Sequence, residues 1–181
     1  MTQETNSPLA RLQAPLGADE ACELRAGQRV LISGTVFTAR DAAHARLIAM
    51  VESGEPLPVD LDGAIIYYCG PTPAPPGRVI GSAGPTTSSR MDAYAPALHA
   101  MGVRATIGKG PRSDELQQAL VEHGAVYLAA VGGAGALLGE TISECEVVAF
   151  PELGPEAIRK LTVEDFPAIV AYDSVGDSAF A

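Results

Sequence analysis

The sequence predicts an α/β domain with some parallel strand pairing. Three observations carry this. Segments such as RVLISGTVF (29–37) and AIIYYC (64–69) are apolar and β-branched, as strands are. Segments with apolar residues at i, i+3 and i+4 intervene, as in amphipathic helices. From residue 103 onward the two kinds of segment alternate, which is the pattern of parallel crossovers. A chain of 181 residues without repeats or a linker fits one domain.

Residues 1–15 are polar and punctuated by Pro, and are expected to form a flexible N-terminal arm or an edge strand, with the domain proper spanning 16–181. Residues 24–27 read as a turn before the strand at 29–37. A helix is predicted over Asp41–Glu52, stopped at Gly54 with Pro56 and Pro58 beyond it. After the strand 64–69 comes GPTPAPPGRVIGSAGPTTSSR (70–90), long, polar and free of acidic residues. A loop of that length in a small domain points to function or disorder, and its lack of acid in a chain of net charge −10 favours a binding loop. Met91–Ala100 reads as a helix, provided that Pro96 falls in its first turn. A strand at 103–107 precedes a helix at 113–123, with Ser113 as N-cap and Gly124 as stop. Strand 125–131, a small-residue helix at 133–143, and strands at 145–150 and 168–172 complete the prediction.

Composition narrows the function. Apolar residues make up 47% and charged residues 19%, a globular balance rather than a disordered one. Aromatics are only 5% and Trp is absent, so the core must rest on Ala, Val, Ile and Leu, or be finished by a partner chain. The net charge of −10 repels nucleic acid and anionic membranes. It repels small dicarboxylates too, so an anionic ligand would need a local cluster of Arg and Lys. Cys22, Cys69 and Cys145 are scattered and odd in number, and no CxxC occurs, so no metal site is readable in this chain. They fit buried thiols in a reducing cytoplasm. No basic segment followed by an apolar run opens the sequence, and no uncharged apolar stretch reaches about 18 residues, so neither a signal peptide nor a membrane span is expected.

Three cations fall where strands give way to helices or turns. Arg40 follows strand 29–37 and opens a helix, Arg90 closes the long loop and opens another, and Lys109 sits between two glycines in IGKGP. Helix starts offer free N–H groups, and a guanidinium grips a carboxylate with two bonds. Solvated arginines are also common at helix starts, so position alone assigns nothing. Thr86, Thr87, Ser88 and Ser89 supply more hydroxyls than a cap requires. His44 shares a helix face with Arg40, while His99 and His123 are expected to be solvated at helix ends. A competing motif is GGAGALLG (132–139), with Glu152 placed as a ribose-binding acid would be in a dinucleotide-binding domain over Gly133–Glu152. Its glycines are spaced GxGxxxG, one residue longer than the usual form, which favours a tightly packed small-residue helix.

In combination, TARDAAH (38–44), YYCGPTPAPPG (67–77), GSAGPTTSSRMD (81–92), IGKGP (107–111) and LGPEAI (153–158) resemble the β subunit, or C-terminal domain, of class I fumarases. Tartrate dehydratase β subunits share the RDxxH, GPTTSxRM and GKG elements, and the GPTP segment leans toward the fumarase branch. The resemblance covers about residues 20–175. It implies a three-layer swivelling β/β/α fold and a hydro-lyase acting on a 2-hydroxy dicarboxylate such as malate. It further implies a [4Fe–4S] cluster on a separate cysteine-bearing α subunit, so that this chain binds no metal itself and works in an αβ hetero-oligomer. Arg40 and Arg90 then hold substrate carboxylates, with Thr87 beside them. Thr86 is the candidate base and Lys109 stabilises the charge formed on deprotonation, while Asp41 and His44 orient Arg40. Cys69 is given no cluster role. The rivals are a tartrate dehydratase β subunit, the dinucleotide-binding domain, and a non-catalytic anion-binding module.

Overall fold

The computed structural model of the chain describes residues 9–131 and 133–180. It is a mixed α/β domain built on one seven-stranded sheet. Strands β1 (Ala10–Ala14), β2 (Arg29–Thr38), β3 (Ile65–Tyr67), β4 (Ala105–Gly108) and β5 (Val126–Ala129) run parallel to their neighbours in that order. β7 (Ile158–Tyr172) is antiparallel to both β5 and β2. The pairing β2–β3–β4–β5–β7 therefore returns to β2 and closes a ring. β1 extends β2, and β6 (Ile142–Ala149) lies antiparallel on β7. Leu12, Ile32, Val36, Ile65, Tyr67, Ile107, Leu128, Leu161, Phe166 and Val170 form one buried cluster contributed by these strands.

The arm expected over residues 1–15 is, from Ala10 onward, an edge strand with Leu12 and Ala14 buried; residues 1–8 lie outside the described residues. The turn expected before β2 is preceded by a short helix, α1 (Ala18–Glu23). α2 (Asp41–Ser53) ends on a left-handed Gly54, and Ala43, His44 and Leu47 form its buried face. α4 (Asp114–His123) starts where Ser113 Oγ accepts the Leu116 N–H at 3.2 Å and stops at a left-handed Gly124, both as predicted.

Three elements differ from the sequence reading. The helix expected over 91–100 is a 3₁₀ turn at Ser88–Met91 followed by α3 (Ala95–Ala100), with Pro96 in the first turn of α3. The small-residue helix is only Gly135–Glu140 (α5), because the chain is already strand by Ile142. The last strand starts ten residues earlier than the predicted 168. Its in–out alternation is broken between Val163 and Phe166 by a bulge containing Asp165 at φ 51°, and Pro167 follows. Glu-Asp-Phe-Pro is the point where one long strand bends.

The core is also less aliphatic than composition suggests. Tyr67, Tyr68, Tyr127 and Phe166 are among its largest fully buried side chains. α2 and α3 pack Ala43, Leu47 and Leu98 against Ile66 and Tyr68, and α4 packs Leu116 and Leu120 against Tyr127.

Candidate active site

The C-terminal ends of β2, β3 and β4 lie side by side, because these strands are parallel neighbours. Where parallel strands carry a site, in open sheets and closed barrels alike, ligands bind at such C-terminal ends. Arg40 lies two residues past β2 as the extended N-cap of α2, with φ −119° and ψ −163°. Its guanidinium lies against Gly70, just past β3. A methyl group there would come within 3.0 Å of Nη1, so a side chain at 70 would displace the arginine. Nε is buried without a hydrogen bond, 3.7 Å from Glu156 Oε1, and the side chain is 24% exposed.

The polar loop returns to this edge at Thr86. The Thr86 N–H donates to the Tyr68 carbonyl at 2.7 Å, which seats the loop at the end of β3. Its carbonyl accepts from Lys109 N–H at 3.4 Å, and Ser88 N–H donates to the Lys109 carbonyl at 3.0 Å. Thr87 and Lys109 thus form a parallel bridge. Thr86 is half-buried, while Thr87 and Lys109 are exposed. Gly108 makes this approach possible: a Cβ there would fall 1.9 Å from Ser88 Oγ. Among the described residues, neither the Lys109 ammonium nor the Thr86 hydroxyl has a side-chain partner.

Arg90 lies in the 3₁₀ turn rather than at an α-helix start, and it is ion-paired with Asp41. Asp41 was expected to orient Arg40; it holds Arg90 instead, and its second oxygen is buried without a partner. His44, also expected to orient Arg40, contacts its backbone carbonyl. The Arg40 carbonyl accepts both the His44 N–H at 2.9 Å and, at 2.8 Å, its Nδ1. A carbonyl can only accept, so Nδ1 carries the proton and Nε2 is a buried, unpaired acceptor. Burial pushes the His44 pKa down to about 4, so the ring is neutral at pH 7. Sequence reasoning missed Glu156, which faces Arg40 and also accepts the Ala42 N–H at 3.4 Å. Its signal was its place in LGPEAI.

A second miss lies behind the edge. Arg112 is buried, with Nε 2.5 Å from Asp92 Oδ1 and its guanidinium 4.8 Å from the Tyr127 ring centre. Burial disfavours its charge, but Tyr68 and Asp92 outweigh that and hold its pKa above the ordinary value. His99, expected in solvent, is buried with Nδ1 on the Val103 carbonyl at 2.7 Å, and burial pushes its pKa down to about 4. A cavity of about 330 Å³ lies beside the edge, walled by Pro71, Thr72, Ile80, Cys145, Pro155 and Arg159; Arg40, Arg90 and Lys109 do not line it.

Residues 2–181 match the family described as Fumarase C-terminus. The chain belongs to that family. It is 43% identical over 157 residues to Fumarate hydratase 2 of Leishmania major, covering 86% of this chain and 28% of that protein. It is 39% identical over 179 residues to the aerobic class I fumarate hydratase of Escherichia coli strain K12, covering 98% of this chain and 32% of that one. It is 42% identical over 164 residues to a putative L(+)-tartrate dehydratase subunit beta of Methanocaldococcus jannaschii, covering 87% of this chain and 84% of that one. The chain thus spans about a third of the length of the fumarate hydratases it matches.

In this Fumarase C-terminus domain, no group of three His, Cys, Asp or Glu among the described residues could hold a metal ion. Cys22 is exposed, Cys69 is buried, and Cys145 is half-buried on β6. These residues do not fit an iron–sulfur cluster. No described helix is long and apolar enough to cross a membrane. The dinucleotide reading fails on topology. β5 and the strand after α5, β6, are not neighbours: β7, antiparallel to both, lies between them, so β5–α5–β6 is not an adjacent parallel βαβ unit. Gly135 and Gly139 instead admit close packing of the polar loop: added methyl groups would meet Gly84 N at 2.9 Å and the Gly81 carbonyl at 2.7 Å. Gly132 of that motif lies outside the described residues, and Glu152 pairs with Arg46.

Proposed function

We propose that this chain is the β subunit of an iron–sulfur-dependent hydro-lyase that dehydrates a 2-hydroxy dicarboxylate, malate to fumarate being the first choice. One observation carries the reading: Arg40, the Thr86–Arg90 segment and Lys109 gather at the C-terminal ends of neighbouring parallel strands, in a member of a family whose named relatives are fumarate hydratases and a tartrate dehydratase subunit. Near-full coverage of the latter supports a chain that acts as a separate subunit. We read the closed ring, its flanking strands and its helices as a swivelling three-layer β/β/α domain.

Arg40 and Arg90 hold the two substrate carboxylates, with the Thr87 hydroxyl beside them. Thr86 takes the proton next to a carboxylate. That step puts a second negative charge on the carboxylate, and Lys109, exposed and unpaired among the described residues, stabilises it. A threonine hydroxyl is a weak base, so the adjacent cations must lower its pKa. His44 fixes Arg40 through its carbonyl, and Asp41 sets the direction of Arg90. A [4Fe–4S] cluster on a cysteine-bearing α subunit would supply the Lewis acid for the leaving hydroxyl, and an acid of that subunit would protonate it to water. The partly open edge is consistent with a site that the second chain completes.

The test is anaerobic co-expression with the cysteine-bearing chain, followed by assay on malate, fumarate and tartrate. The chain alone is expected to be colourless, iron-free and inactive, and the pair to turn over a hydroxy diacid. Stoichiometric iron–sulfur with turnover in the lone chain would overturn the reading. A tartrate preference would select the second substrate, and a pair inactive on all three would leave an anion-binding module.

A further inference from the structure

The proposed chemistry leaves out Arg112, yet this buried guanidinium reaches both halves of the site. Nε holds Asp92 at 2.5 Å, and Asp92 lies two residues past Arg90. The other Asp92 oxygen accepts the Ser113 N–H at 2.7 Å, at the cap of α4. Nη2 donates to the Tyr68 hydroxyl at 3.3 Å, and the Tyr68 carbonyl is the group that seats Thr86. Nη1 donates to Thr106 Oγ1 at 3.3 Å, on the strand that delivers Lys109. The guanidinium face covers the Tyr127 ring. The Tyr127 hydroxyl donates to the Gly110 carbonyl at 3.0 Å, so its 2.9 Å contact with Ser88 Oγ is one in which serine donates. Tyr127 thereby joins the residue after Lys109 to the residue two before Arg90.

We propose that Arg112, acting with Tyr127, is the positioning residue that fixes the Thr86–Arg90 segment against the Lys109 loop. The proposal rests on the reading of Thr86, Arg90 and Lys109 as substrate-facing groups. The planar fork suits the task, since three separate acceptors and a ring face are satisfied at once; an ammonium can hold Asp92 but cannot span the other contacts. Neither residue touches substrate, so the effect of each passes through the geometry of the two loops.

Two variants isolate this. Tyr127→Phe keeps the ring beneath the guanidinium and removes only the hydroxyl that links Ser88 to Gly110. Arg112→Lys keeps a charge near Asp92 and loses the fork. In the anaerobically reconstituted two-chain enzyme with malate, kcat is expected to fall about tenfold to a hundredfold in each. KM should change less than kcat, because Thr86 and Lys109 act on the charge formed in the transition state, while the carboxylate contact of Arg90 is shared by the bound ground state. Amide hydrogen exchange on the full chain alone should run about tenfold faster in peptides spanning 84–91 and 107–111. A lowered melting temperature with kcat and loop exchange unchanged would overturn the proposal, because Arg112 would then be a structural residue only. If the wild-type pair turns over no hydroxy diacid, the functional reading falls, and the exchange result alone decides whether Arg112 and Tyr127 fix the loops.

Discussion

Two buried histidines should make this domain acid-sensitive well above the carboxylate range. Burial pushes both His44 and His99 from 6.5 down to about 4. Around His44 lie Arg112, which opposes protonation, and the Arg40 carbonyl and Asp41, which favour it. His99 faces the favourable Val103 carbonyl against Arg112, His123 and His44. Because the folded pKa lies below the unfolded one, the unfolded chain binds protons first. Stability is therefore full above about pH 6.5 and falls as the pH drops toward 4. Between pH 7 and pH 5 each ring withdraws about 2 kcal/mol at most, and the pair up to about 4 kcal/mol if they act independently. That is a large share of a typical domain stability of about 5–15 kcal/mol. Urea unfolding at pH 7.0 and 5.0 measures it, with His99→Gln expected to remove about half of the pH dependence. Ring proton shifts in NMR give a check free of folding defects: two histidines should keep neutral-form shifts down to pH 5. A stability flat over this interval, or His44 and His99 titrating near 6.5, would refute the reasoning.

Two further outcomes are expected. In the reconstituted pair, Arg90→Lys should lower kcat/KM about a hundredfold, through loss of one charge-assisted carboxylate contact worth roughly 2–4 kcal/mol. Arg11→Lys, altering an exposed ion pair with Asp165, should leave steady-state kinetics nearly unchanged; equal small effects at both positions would remove Arg90 from the site. Burial pushes the Cys69 thiol up to about 12, whereas Cys22 is exposed, so alkylation at pH 8 followed by mass spectrometry should label Cys22 first and leave Cys69 unmodified in the native chain. Early labelling of Cys69 would contradict its place in the core.

The elements legible in sequence are those whose signals are local. α4 has its serine cap, its buried Leu116, Ala119 and Leu120, and its left-handed glycine, all within a dozen residues. β7 was half visible because its bulge resets the alternation, and its pairing with β2 spans more than a hundred residues. The site followed the same rule. Arg40, Thr86, Arg90 and Lys109 stand in short recognisable strings. Arg112–Asp92 joins residues twenty apart, neither of them periodic, and only their adjacency to SSRM and GKGP hints at it. His99 looks like a solvated helix end, and only its apolar neighbours Leu98 and Met101 argue otherwise. Nothing in its sequence neighbourhood signals that Arg159 spends its guanidinium on the carbonyls of Gly154, Pro155 and Ala157.

The ion pairs suggest a division of labour consistent with the proposed function. Arg40 faces Glu156 and Arg90 faces Asp41, both partly exposed, while Arg112 faces Asp92 in the interior. Partly exposed pairs are held less tightly than buried ones, so an incoming carboxylate can compete with Asp41 or Glu156 for its arginine at less cost than with Asp92. A buried pair does not release its partner, since a lone interior charge costs about 3–5 kcal/mol. In a chain of net charge −10, acidic neighbours keep the outer arginines from standing as unneutralised charge before a ligand arrives. Lys109, unpaired among the described residues, then needs no exchange of partners to face the new charge. On this argument the outer pairs admit the anion, the inner pair keeps the loops that meet it in register, and replacing Asp41 or Asp92 would have opposite signatures: altered substrate affinity for the first, altered turnover for the second.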